Sequence, residues 1–188
     1  MTAETTQLSI RLAILAAVAV IVQTSALSQL SLFGASPDLV PLIVISAGLL
    51  AGPVAGAVTG FSMGLFFDFA LLQTLGVSSL ALVIVGHFAG RLRETVRDPQ
   101  ATLLPLGAGA AGTAVAFLVF STMQFLLGVE TPVSIDLFWQ FLSTVLINTL
   151  LALPVHALVR RVLGPTLPDA SRRRRRRSPS PLSPLSQP

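Results

Sequence analysis

The chain has 188 residues, 53% of them hydrophobic and 11% charged, and its mean hydropathy is +0.81. Soluble domains carry about 25% charged residues, so the composition excludes an ordinary soluble fold and points to an all-α, polytopic helical membrane protein. Cysteine is absent, which excludes disulfides, thiol catalysis and Cys metal sites.

The first apolar span runs from about residue 12 to 33, after a short N-terminal segment, 1–11. It is longer than the apolar part of a secretory signal and is followed by further spans, so it reads as an uncleaved membrane helix. Ser36-Pro37-Asp38 ends it, because proline cannot continue a helix. From Leu39 to Leu75, 37 residues are interrupted only by Asp68, Gln73 and a few hydroxyls. One crossing takes about 20 residues for a core about 30 Å thick. Two short or tilted helices, 39–51 and 53–75, turning near Gly52-Pro53, therefore fit better than one. The first is too short to span fully. A further short span, 76–90, leads to the polar loop 91–100. Spans 102–127 and 137–159 complete the set, separated by a polar connection with Glu130 and Pro132. Residues 161–188 are rich in Arg, Ser and Pro and are expected to be disordered.

The basic residues test this count of about six spans. All 12 are Arg: Arg11, Arg91, Arg93, Arg97, Arg160, Arg161 and Arg172 to Arg177. With a cytoplasmic N-terminus and six crossings every Arg lies in the cytoplasm, as the positive-inside rule prefers. Five crossings with the N-terminus outside would misplace only Arg11 and remain an alternative. In the six-span reading Asp38, Glu130 and Asp136 face outward, and Asp68 lies near the outer boundary.

Gly48, Gly52, Gly56, Gly60, Gly64 and Asp68 recur at every fourth residue. Fourth-residue spacing keeps side chains near one helix face, and a face without bulk lets another helix approach closely in lipid. The stripe crosses the turn, so its dependable part is Gly52, Gly56, Gly60 and Gly64. Gly107, Gly109 and Gly112 form a second such surface. Both suit packing within one bundle or docking of a partner's helix, and spacing alone does not separate the two. Asp68 reads either as a structural acid bonded to helix ends or hydroxyls, the favoured reading, or as an ion-handling group. Asn148, His87 and His156 are the other polar candidates in the spans, and they form no obvious site with it.

No enzyme, metal or cofactor site is supported. Two His without spaced acids are too few metal ligands, there is no phosphate-binding glycine loop, and no Ser has a base placed with it. Gly-Ala-Gly-Ala-Ala-Gly at 107–112 lies in a span and has no nucleotide role. Arg172, Arg173, Arg174, Arg175, Arg176 and Arg177 suit anionic lipid headgroups beside the membrane, and no nucleic acid is expected.

Pro37-Asp38-Leu39-Val40, the apolar hairpin, Gly60-Phe61-Ser62-Met63-Gly64-Leu65-Phe66-Phe67-Asp68, Leu75-Gly76-Val77-Ser78-Ser79-Leu80, then Gly86 and Gly90-Arg91-Leu92 follow in order. In this order the chain resembles the rod shape-determining protein MreD family, over about residues 10–160. The tail lies beyond the family pattern. The resemblance marks Pro37, Asp38, Asp68, Gly76 and Ser78 as motif residues. It implies a non-catalytic, multi-pass component of the bacterial inner membrane in the cell elongation complex, a scaffold or regulator of peptidoglycan synthesis. The implied partners are MreC, RodA and a class B penicillin-binding protein. The family's fold is similar to the S-components of energy-coupling-factor vitamin transporters, so a substrate-binding S-component is the main alternative. A proton-coupled carrier built on Asp68 is a weaker third reading. The outer loops offer a ligand only Asp38, Glu130, Asp136 and Trp139.

Overall fold

The computed structural model describes residues 3–25, 37–95, 103–128 and 135–164. They form six helices and, among the described residues, no strand: α1 (Ala3–Ser25), α2 (Leu39–Ala51), α3 (Pro53–Ala70), α4 (Val77–Thr95), α5 (Leu103–Leu126) and α6 (Ile135–Leu163). Three helices contain stretches long and apolar enough to cross a bilayer: Pro53–Ala70, Leu103–Leu126 and Phe138–Leu163. The protein is a helical membrane protein. The tail beyond residue 164, with its six consecutive Arg, and the connection holding Glu130 and Pro132 lie outside the described residues.

Helix ends depart from the apolar limits for local reasons. α1 starts well before residue 12 because Thr5, Thr6 and Gln7 are tolerated in a helix and no Gly or Pro stops it. α3 stops at Ala70 rather than near residue 75. The backbone then turns through Leu72, at φ 52°, and Gly76, at φ 98°, before α4 begins. α4 runs past Gly90 to Thr95, since Arg91-Leu-Arg-Glu-Thr contains no breaker and the Thr95 hydroxyl donates back to the Arg91 carbonyl at 3.2 Å. α6 continues through Pro154 and carries Arg160 and Arg161 in its last turn, where the helix dipole favours cations.

α2 is the hub. Residues Val40 to Leu49 are all buried, and α2 touches each of the other five helices. A helix that is apolar on every side has to be surrounded in this way. It has only 13 residues, so it is about 20 Å long, shorter than the neighbours that enclose it. Gly52 ends α2 and starts α3 at φ 99° and ψ 177°, a conformation that favours glycine. Two clusters fill the core around α2. One joins Val20 of α1, Val40, Leu42 and Val44 of α2, Met63 of α3 and Val155 and Val159 of α6. The other joins Ile45 and Leu49 to Val85 and Ala89 of α4 and Ala108 and Ala116 of α5.

The glycine stripe packs inside the chain. A Cβ on Gly56, Gly60 or Gly64 would collide in turn with Gly86 O, Leu82 O and the Ser79 backbone of α4. The sequence offsets run in opposite directions, so α3 and α4 are antiparallel at backbone contact. Gly48 of α2 converges on the same place. A Cβ there would come within 2.5 Å of Gly86 O, and one on Gly56 would come within 2.8 Å of Gly48 Cα. Gly90 packs against the Gly52-Pro53 turn. Gly48, Gly56 and Gly86 thus form a three-helix junction with no side chains at its centre. On α5, Gly109 faces Ala152 of α6, and Gly112 faces Ile45 and Val85. The faces of Gly56, Gly60 and Gly64 are therefore not open to a partner's helix. Gly107 is different: it is exposed, and nothing lies within 4 Å of a Cβ placed there.

Overpacking costs about 1–3 kcal/mol or more, and each kcal/mol shifts Tm by about 2–4 °C in a chain of this size. Gly60→Leu is expected to lower the unfolding midpoint in detergent by at least several degrees. Gly107→Leu is expected to change it by less than about 1 °C. Scanning fluorimetry of the two purified variants checks the contrast.

Candidate functional site

Polar side chains in the spans gather where α2 and α4 begin and α1 and α3 end. Asp68 is fully buried. Its Oδ2 accepts from the Gly76 N–H at 2.8 Å and its Oδ1 from the Ser78 N–H at 3.3 Å. Its backbone carbonyl accepts from the Gln73 N–H at 2.9 Å. The first N–H groups of a helix have no partner within it, and a carboxylate is the best acceptor for them because the dipole adds to the hydrogen bonds. Asp68 therefore caps α4 from the last turn of α3 and closes the α3–α4 hairpin. Gly76 and Ser78, two of the residues that the resemblance marks, are its donors. The Ser79 hydroxyl adds a bond to the Phe61 carbonyl at 3.2 Å.

A second knot fixes the start of α2. Asp38 is its N-cap, and Oδ1 accepts from the Val40 N–H at 3.3 Å. The Asp38 N–H donates to Asn148 Oδ1 at 3.0 Å. Asn148 is fully buried, and its Nδ2 donates to Thr113 Oγ1 of α5 at 3.3 Å. Gln23 of α1 grips the chain on either side of Asp38: Nε2 donates to the Pro37 carbonyl at 2.9 Å, and Oε1 accepts from the Leu39 N–H at 2.9 Å. A proline followed by a helix start in an apolar bundle leaves backbone groups that water does not reach. Gln23 and Asn148 satisfy them, and each is placed by a different helix.

These knots border a cavity of about 320 Å³ beside the N-terminal end of α2. Its walls come from all six helices and their connections. The polar members are Gln23, Asp38, Gln73, Ser78, Thr113, Gln140 and Thr144. The apolar members include Phe67, Phe117 and Phe120, and Phe117 packs on Phe141 with ring centroids 5.0 Å apart. Among the described residues, the lining holds no Arg or His. The Ser78 hydroxyl is buried and has no hydrogen-bond partner.

Of the four residues singled out for outer ligand contacts, Asp38 lines the cavity. Trp139 is 60% exposed and stands edge-on to Phe138. Glu130 lies outside the described residues, and the Asp136 side chain is not described. His87 is exposed beside Phe88. His156 has a buried, unpartnered Nδ1 on the part of α6 toward Arg160, away from Asp38 and Asp68. Gln23, Thr113, Gln140 and Thr144 escape the sequence reading. Their signal is a polar residue within an otherwise apolar helix, which is costly unless it has a partner.

Removing the cap leaves two buried N–H groups unsatisfied, at about 1–3 kcal/mol. Asp68→Ala is therefore expected to lower thermal stability and to speed amide exchange at residues 76–80, whereas Asp68→Asn, which keeps one acceptor, is expected to fall between it and the parent. Hydrogen exchange followed by mass spectrometry reads both. Asn148→Leu is expected to cost a similar amount, with exchange rising at the start of α2 rather than of α4.

No curated protein and no solved structure gives a significant match to this chain. A family model does match: that of rod shape-determining protein MreD, over residues 4–162. The matched stretch takes in the glycine junction, the Asp68 cap and the Asp38–Asn148 knot, and the chain belongs to the MreD family.

Proposed function

We propose that this protein is a non-catalytic scaffold of the cell elongation complex, a regulator of peptidoglycan synthesis that acts with MreC. Through MreC it works with RodA and a class B penicillin-binding protein. The single observation that carries this reading is the family match, which reaches across all six helices. The chemistry supports it. Asp68 and Asn148, the strongest polar candidates in the spans, are engaged in holding helix ends.

In this reading the protein sits in the bacterial inner membrane with six crossings and both termini in the cytoplasm. That orientation keeps all 12 Arg on one side. It also sets the six consecutive Arg of the tail against anionic headgroups, each contributing about 1 kcal/mol. The α3 glycine face is filled by α4, so a partner's helix docks on the outside of the bundle. There Val54, Val58, Phe61 and Leu65 are 41% exposed or more and repeat at helical spacing along α3.

The cavity favours one second reading, a substrate-binding S-component of an energy-coupling-factor transporter. Affinity purification of a tagged copy from membranes, with mass spectrometry, separates the two. MreC, RodA or a penicillin-binding protein is expected to copurify, and depletion of the protein is expected to turn rods into spheres. Recovery of ATPase subunits with a coupling membrane protein would replace the scaffold reading with the second.

A further inference from the structure

The cavity beside α2 is a built site. At 320 Å³ it falls in the range of small-molecule pockets, about 300–1,000 Å³. It lies beside the start of the short helix α2, where Asp38 and Gln23 of one hydrogen-bonded knot and Ser78 of the other are in its lining. Its walls are also chemically divided. Phe67, Phe117 and Phe120 supply apolar faces, and Asp38, Gln73, Ser78, Gln140 and Thr144 supply polar groups between them.

Two features of the lining point to an occupant. Asp38 lines the cavity, is partly exposed, and accepts from the Val40 N–H through Oδ1. Among the described residues the lining holds no Arg or His. Such a lining repels anions and suits O–H or N–H donors.

We infer that this cavity is a binding site for a small neutral or singly cationic molecule that carries hydroxyl or amine donors on an apolar, ring-sized body. The donors meet Asp38, and the ring lies among Phe67, Phe117 and Phe120. Anionic ligands are rejected. The site holds whether the protein is a scaffold or a transporter subunit, and a scaffold with such a site gains a small-molecule input at the start of its central helix. The same donor chemistry is available from a soluble molecule and from the headgroup of a neutral glycolipid.

Three probes with one ring and different charge test it on the purified full chain in nanodiscs: tryptamine, which is cationic, indole-3-ethanol, which is neutral, and indole-3-acetate, which is anionic. Binding to the native state raises Tm by mass action. At about ten times Kd the rise is about 3–6 °C for a chain of this size. Tryptamine and indole-3-ethanol are expected to raise Tm with concentration, and indole-3-acetate is not. Asp38→Asn is expected to bring tryptamine down to the level of indole-3-ethanol, and Ala116→Phe, which fills the cavity, to remove both shifts. Should Ala116→Phe fail to fold, Thr144→Phe on the α6 wall serves instead, with an expected several-fold loss of affinity for both probes. A monoglucosyl diacylglycerol arm separates the sources: if that lipid in the disc blocks the probes' shifts, the occupant is a headgroup, and if it does not, the occupant is soluble. Equal shifts for all three probes, no shift for any, or shifts that survive both the Asp38 and the cavity substitutions would overturn the inference.

Discussion

The contact on which the structure depends is the place where Gly48, Gly56 and Gly86 bring three backbones together. Apolar side chains drive association weakly in a bilayer, because lipid tails are as apolar as Leu. Close van der Waals approach has to supply the difference. With no Cβ at the junction, α2, α3 and α4 reach separations that any side chain would prevent. The α2–α3 turn sits directly beneath, held against Gly90. This end of the bundle is dense and tolerates no added volume.

The opposite end of α2 is governed by another rule. α2 is short, so its start is sunk among longer helices, and its first backbone groups would be stranded away from water. Gln23, Asp38, Asn148 and Thr113 meet that need, and Asp68 does the same for α4. Polar side chains in the spans are thus concentrated where helices begin. The space left above a short hub cannot be closed by apolar packing without burying those groups unpaired. The cavity and the polar knots are consequences of one length mismatch.

This explains which parts were legible in the sequence. The helices were visible because apolar runs and their breakers are local properties, and the break at Gly52-Pro53 was clear for the same reason. The interior end of α3 was less visible, since Leu71 and Leu72 look as helical as what precedes them. The turn there is set by Asp68 reaching forward to Gly76 and Ser78. The glycine stripe was visible, but its occupant was not: spacing marks a smooth face without saying what covers it. Gly86 and Gly90, also four apart, held the answer, and pairing the two runs antiparallel brings them into register. The cavity was the least legible feature. Its described lining is contributed by single residues from all six helices and the connections between them.

The division between a dense end and an open polar end bears on how such a protein could transmit information to partners. Its strongest contacts involve α2, α3 and α4, which behave as one block joined through backbone. α1 and the α5–α6 pair are held to that block by side-chain packing and by the Gln23 and Asn148 bonds. Those bonds converge on residues 37–39, at the edge of the cavity. Anything that altered the position of residues 37–39 would act on α1 and α6 together, since each has a side chain hydrogen-bonded to that segment. It would leave the glycine junction untouched. The outer faces of α1 and α6 are rich in exposed apolar side chains, such as Ile14 and Val18 on one and Leu146 and Leu150 on the other. Those are surfaces on which a neighbouring membrane helix could sense the change. Rigidity at one end and adjustability at the other are therefore built from the same short central helix.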